Sequence, residues 1–231
     1  MDRVALFARP PVAGRVKTRL SPALPAPLAR DLYAALLHDA LAALAAASAG
    51  ERFIYWSEAP SAGAAPVATP PGVRTRLQGG ADLGARLAAA FDELLVAPGD
   101  RAAIVGADCP ALRAAHLDGA LARLADADVA LGPAADGGYW LIALRRPAPA
   151  LFRGVAWGSA RVLAETLERA SVAGLTVATL ETLDDLDTPA DLARLVARAA
   201  AGREAPPARL AQALRTMGLL PPAEEPGADR A

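Results

Sequence analysis

Apolar residues in this chain come in short unbroken runs and in longer helical stripes, and the two alternate along most of its length. Val4–Ala8 is an apolar run closed by Arg9-Pro10-Pro11. It is too short for a helix and suits a parallel strand buried on both faces. Over Pro27–Ala47 the leucines at 28, 32, 36, 37, 41 and 44 keep helical spacing. Phe53–Trp56 and Val73–Leu77 read as the next strands, separated by a Pro/Ala/Gly-rich loop over Ser57–Gly72. Asp82 holds an N-cap position before a helix carrying Leu83, Leu87, Phe91, Leu94 and Leu95. After the turn Pro98-Gly99-Asp100, the pattern predicts a strand (Ala102–Gly106), a helix (Arg113–Ala125) and a strand (Val129–Gly132). It continues with the apolar stretch Tyr139–Leu144, a helix (Ser159–Ala173), a strand (Thr176–Leu180) and a helix opening at Thr188-Pro189.

Strands alternating with helices predict an α/β fold whose mostly parallel sheet is covered on both faces. No internal repeat is visible. Composition changes after Gly202, so residues 1–202 are expected to form one domain and 203–231 a C-terminal extension. That extension reads as one more helix over Arg209–Leu220 and a disordered tail over Pro221–Ala231.

Composition narrows the function classes. At 231 residues the chain suits one large domain, and its 54% hydrophobic content is inflated by alanine. The net charge of −1 argues against nucleic acid or an acidic membrane as the main partner. The single cysteine, Cys109, allows no internal disulfide and suggests a reducing compartment. The opening segment is interrupted too soon for a signal peptide, and no uncharged run reaches the ~20 residues of a membrane span. A cytoplasmic protein is expected, with oligomerisation possible but not indicated. Charge is unevenly spread: no acid separates Asp2 from Asp31, whereas acids gather near 82, 108, 136 and 181–191.

Ligands of open α/β sheets sit beyond the carboxyl ends of the strands, and polar segments fall at several such positions here. The first is Phe7–Leu20, where prolines stiffen the chain, Gly14 allows close backbone approach, and Arg15, Lys17 and Arg19 follow. Amides and cations together suit phosphate oxygens, although a solvated basic loop has the same composition. Lys17-Thr18 resembles the end of a P-loop, but the required glycines are absent. In Ile104–Leu112, Asp108 follows a buried strand and is either a helix cap or a ligand for a hard cation. Asp136-Gly137-Gly138 is a hairpin turn or a substrate-facing loop. In Leu183–Leu192, Thr188-Pro189 starts a helix, while Asp184, Asp185 and Asp187 exceed what capping requires. Crowded carboxylates of that kind need solvent or a cation. Gly79-Gly80 precedes a helix N-terminus suited to an anion or a nucleobase edge. Cys109 reads as a buried small residue, and His38 and His116 lack metal spacing. Trp157 is a candidate aromatic wall, and Tyr139 and Trp140 either stack on a ligand or belong to the core.

In order along the chain, FARPPVAGRVKTRL, GADCPAL, LGPAADGGYWLIAL, the tryptophan-centred Val155–Ser159 and LDDLDTPADL resemble a bacterial glycosyltransferase-like family. Its members are small GT-A-fold proteins, often called radical-SAM- or selenodomain-associated transferases or arsenosugar-biosynthesis glycosyltransferases. More distantly the chain is similar to phospholactate guanylyltransferase and the molybdenum-cofactor nucleotidyltransferases. The resemblance implies a three-layer α/β/α sandwich with a mostly parallel mixed sheet and a nucleotide-binding transferase domain over 1–202. It implies nucleotide contacts at Ala8, Arg9, Pro10, Gly14, Lys17, Thr18, Arg19, Gly79, Asp82, Gly84, Arg86 and Asp108. It implies Mg2+ or Mn2+ at Asp108, Asp185 and Asp187, with Lys17, Asp108 and Asp187 catalytic. Asp136, Gly137, Gly138, Tyr139 and Trp157 would face the substrate. Two departures stand out: Arg9-Pro10-Pro11-Val12-Ala13 replaces a glycine-rich start, and Gly106-Ala107-Asp108 lacks the paired aspartates common in glycosyltransferases.

The implied partners are a nucleotide or nucleotide-sugar donor and a small-molecule acceptor. Glycosyl transfer is the leading expectation. Nucleotidyl transfer with release of pyrophosphate uses the same parts, and a silent nucleotide-binding module is the reading from another class.

Overall fold

A computed structural model describes residues 1–222. The segment 223–231, most of the expected tail, lies outside the described residues. The chain runs β1 (Asp2–Ala8), α1 (Ala26–Ala46), β2 (Glu51–Trp56), β3 (Val73–Leu77), α2 (Leu83–Leu94), β4 (Arg101–Gly106) and α3 (Ala114–Arg123). It continues through β5 (Val129–Pro133), β6 (Tyr139–Leu144), α4 (Val162–Val172), β7 (Val177–Thr179), α5 (Pro189–Ala200) and α6 (Ala208–Thr216). Short 3-10 turns lie at Thr18–Leu20 and Pro149–Phe152. The seven strands form one sheet in the order β3-β2-β1-β4-β6-β5-β7. All neighbours are parallel except that β6 runs against both β4 and β5. This is the mixed α/β/α sandwich that the resemblance implies.

The two faces of the sheet build separate cores. Val4 and Leu6 of β1 and Ala103 and Val105 of β4 point to the side of α1 and α3, packing on Leu37, Leu41, Leu117 and Leu121. Ala5, Ala102 and Ile104 point the other way, onto Leu87, Phe91 and Leu94 of α2 and Phe152. The period of two along β1 and β4 therefore feeds both layers, which is why these runs are apolar throughout.

A third cluster serves the loops rather than the sheet. Leu20 and Leu24 from the proline-rich segment meet Leu32 and Leu36 of α1, Leu186, Leu192 and Leu195 at α5, and Leu210 and Leu214 of α6. Asp39 of α1 caps α6 by accepting from the Arg209 and Leu210 amides at 3.2 and 2.8 Å. Among the described residues no helix is long and apolar enough to cross a membrane.

Leu186 is 1% exposed and joins two long loops, so truncation should leave a cavity between them. Leu186→Ala is expected to cost about 2–5 kcal/mol in urea unfolding. A loss within the error of the melt would show that this cluster does not hold the loops.

Candidate functional site

β1, β2, β3 and β4 end on one edge of the sheet, and the start of β6 lies there too because that strand runs in the opposite direction. A cleft of about 540 Å³ opens on this edge. Of the residues singled out from sequence, Ala8, Arg9, Lys17, Thr18, Asp82, Arg86, Asp108, Tyr139 and Asp187 line it. Their loops come from opposite ends of the chain.

Lys17 is the chain's only lysine. Its Nζ lies 2.5 Å from Asp108 Oδ1 and 2.7 Å from Asp187 Oδ1. The lysine side chain is only 3% exposed, against 45% and 38% for the two carboxylates, so the ammonium lies beneath them and they face the cleft. Burial alone would lower the lysine pKa, but the charges and hydrogen bonds of Asp108 and Asp187 overcome it and hold the value above the ordinary one. Its ammonium also lies 5.9 Å from the centre of the Tyr33 ring.

Local structure explains the meeting. The prolines at 10 and 11 are buried at the end of β1, and Gly14 takes a left-handed φ of 77° in the turn that follows. Lys17 itself is left-handed (φ 49°, ψ 37°), the one non-glycine residue with positive φ among those described. The Leu186 amide donates to the Asp108 carbonyl at 2.9 Å, which fixes the Asp187 loop against the β4 loop. Thr188 caps α5 in a reciprocal box with Asp191, so that carboxylate is used up in the cap.

Of the carboxylates expected at a metal, Asp108 and Asp187 meet in the cleft, whereas Asp185 does not line it. Among the described residues no group of three or more His, Cys, Asp or Glu side chains is placed to hold an ion. Lys17 bridges Asp108 and Asp187, and Asp185 instead lines a second, smaller cavity beside Arg198. Burial, reinforced by the charges of Asp108, Asp187 and Asp136, pushes the Asp185 carboxyl up to about 7.

Several other expectations are corrected by packing. A Cβ on Gly84 would lie 2.5 Å from the Phe152 carbonyl oxygen and 2.8 Å from Trp157 Nε1, so this glycine makes room for protein rather than nucleotide. Trp157 is accordingly a partly buried wall against α2, edge-on to Tyr139 with ring centres 6.4 Å apart. Gly137 faces Ala160, whose carbonyl oxygen would be 2.1 Å from an added Cβ. Asp136-Gly137-Gly138 is the β5–β6 hairpin turn, with Asp136 accepting from the Gly138 amide at 2.9 Å. Pro10 is buried, and Gly14, Arg19 and Gly79 are exposed outside the cleft lining. Asp82 does cap α2, accepting from the Ala85 amide at 2.8 Å. Trp140 is 3% exposed and belongs to the core. Burial pushes the Cys109 thiol up to about 12, which leaves it inert.

Sequence reasoning missed several cleft residues, Tyr33, Gln78 and Ser57 among them. Tyr33 sits within the leucine stripe of α1 and accepts from the Arg9 amide at 3.0 Å. Nothing in its spacing distinguishes it from core. Gln78 directly follows β3 and donates to the Tyr55 carbonyl at 2.9 Å, and the strand-end rule would have found it.

This architecture is the fold of nucleotide-diphospho-sugar transferases. A protein from Desulfovibrio desulfuricans G20, provisionally named as such a transferase, is 30% identical, with 94% of this chain and 96% of that one covered at a TM-score of 0.82. The chain belongs to the DUF2064 family, described as an uncharacterized protein conserved in bacteria, which it matches over residues 32–159. That match includes Asp108 and the hairpin but not Lys17 or Asp187. The bifunctional IspDF from Campylobacter jejuni shares the fold at 10% identity and a TM-score of 0.51, with 84% of this chain and 53% of that one covered. No curated protein sequence matches the chain.

The raised Asp185 pKa has a definite sign. The folded carboxyl holds its proton to about pH 7, whereas the unfolded one releases it near the ordinary value of 3.8. Stability is therefore fully present below about pH 4 and falls as pH rises toward 7. Asp185→Asn should remove that fall, so its melting temperature relative to the wild type increases from pH 4 to 8. A difference that does not vary with pH would contradict this environment for Asp185.

Proposed function

We propose that the protein is a metal-dependent transferase that moves a glycosyl group from a nucleotide-sugar donor to a small-molecule acceptor. The observation that carries the reading is the buried Lys17 ammonium beneath two cleft-facing carboxylates, in a cleft at the strand ends. Opposite charges concentrated there have no structural purpose that apolar packing would not serve as well.

The residues fit a divalent ion of a particular kind. Mg2+ takes one or two carboxylates and shares the rest of its shell with water and substrate phosphates. Asp108 and Asp187 each give only Oδ1 to Lys17, which leaves a second oxygen on each facing the cleft. The surplus of carboxylate over ammonium, felt by Asp185, favours an added cation. Asp108 and Asp187 would hold Mg2+ or Mn2+, which when bound supplies Lewis-acid stabilisation to phosphate oxygens.

The chain's own groups do the rest. Arg9 and Arg86 line the cleft and have no carboxylate partner among the described residues, whereas Arg15 is paired with Glu58 at 2.8 Å. Arg9, Arg86 and the Thr18 loop attract the donor phosphates, while Gln78, Leu83 and Leu87 wall the side toward β3 and α2. As the acceptor hydroxyl oxygen bonds to the sugar carbon, its proton passing to solvent, and the bond to the diphosphate breaks, Lys17 and Arg9 counter the charge gathering on the leaving nucleoside diphosphate. Such a reaction needs positioning and charge stabilisation rather than a protein nucleophile.

One observation favours nucleotidyl transfer as the second reading. Gly106 occupies the place where a paired aspartate would stand, and a Cβ added there would meet only Asp108 Oδ2, at 4.0 Å. Incubation with nucleoside triphosphates and with nucleotide sugars separates the two: glycosyl transfer releases a nucleoside diphosphate and nucleotidyl transfer releases pyrophosphate.

Nucleotides should raise the melting temperature in the presence of Mn2+, and Asp108→Ala should lose that metal-dependent increment. If no nucleotide or nucleotide sugar shifts the melt, with or without Mn2+, the transferase reading fails. Once an activity is in hand, Lys17→Ala is expected to lower kcat/KM by roughly 10²–10³-fold.

A further inference from the structure

The floor of the cleft carries more than one signal of cation exchange. The oxygens that Lys17 holds belong to the same two carboxylates that would take a divalent ion. An ammonium seated between them raises the energy of a second cation there, since like charges a few ångströms apart repel even in a polar cleft. The lysine is deeper than its partners, at 3% exposure against 45% and 38%, so it blocks their inner side while their outer oxygens face the ligand.

The backbone supplies the means of movement. Lys17 sits at the start of a single 3-10 turn in a left-handed conformation, with no side-chain cap. Thr18 and Arg19, the next two residues, are exposed. Strain in a non-glycine residue at such a point is a store that a change of backbone conformation can release.

We propose that Lys17 is a removable stopper: its ammonium occupies the shared face of Asp108 and Asp187 until phosphates draw it into the cleft, so the divalent ion is admitted together with the donor rather than before it. This rests on the metal-dependent reading above and adds an order of events to it. Coupling of this kind is reciprocal, with the ion and the phosphates each raising the affinity for the other.

Mn2+ alone, titrated by calorimetry, tests the stopper without reference to activity. The wild type and Lys17→Arg, which keeps the charge, should bind it weakly, and Lys17→Met should gain at least about tenfold in affinity. Equal Mn2+ affinity in the wild type and Lys17→Met overturns the proposal. Should Lys17→Met not fold, the wild type still decides. With one lysine in the chain, protein labelled with lysine carrying 13C at Cε alone gives one lysine side-chain resonance. That resonance should stay in place with Mg2+ alone and move when inorganic pyrophosphate is added with Mg2+. A resonance unmoved at saturating Mg2+ and pyrophosphate sinks the stopper alone. Absence of binding by pyrophosphate and by every nucleotide sinks the transferase reading beneath it.

Discussion

The ammonium of Lys17 ties together three loops at one point. Its partners lie 91 and 170 residues away, and each stands on a different strand end. The apolar cluster of Leu20, Leu186 and Leu192 does the work of approach, and the Leu186-to-Asp108 backbone bond sets the register of the two acidic loops. The ion pairs then fix direction. Taking a lysine and parts of two carboxylates out of water is unfavourable, so this arrangement depends on the leucines behind it. The same dependence explains why α5 and α6, which do not line the cleft, matter to its floor.

Much of the fold could be read from pattern because its elements are locally consistent. Val4–Ala8, the leucine stripe of α1, the Asp82 cap and the Thr188-Pro189 helix start each carry their signal within a few residues. The antiparallel strand β6 was legible as an apolar stretch, but its insertion between β4 and β5 is a matter of order in the sheet, which periodicity does not encode. Candidate site residues were legible as a set of strand-end polar groups. Their pairings were not, because a contact across 170 residues leaves no local trace. The carboxylates at 108 and 187 were expected to converge on a metal, and they converge on an ammonium. One compositional clue pointed there: an arginine-rich chain that keeps a single lysine.

The glycines mislead for a related reason. A glycine beside a cleft suggests close approach, but sequence does not say by what. At Gly84 and Gly137 the approaching atoms belong to Trp157, Phe152 and Ala160 of the same chain. Both contacts dock the region between β6 and α4 onto the rest of the molecule. They shape the cleft from behind, as Trp157 does by leaning on Tyr139.

The reversal of β6 has an architectural result. A parallel strand reaches this edge of the sheet only after a crossover, and its end is committed to the helix that follows. β6 instead begins at the edge, through a turn only a few residues long, and sends Tyr139 into the cleft at once. One rim of the cavity is thus a local hairpin pinned at Gly137 against Ala160, while the opposite rim is woven into the whole chain through Lys17. A substitution in the hairpin is therefore felt beside α4 alone, and one at Lys17 by loops from both ends of the chain.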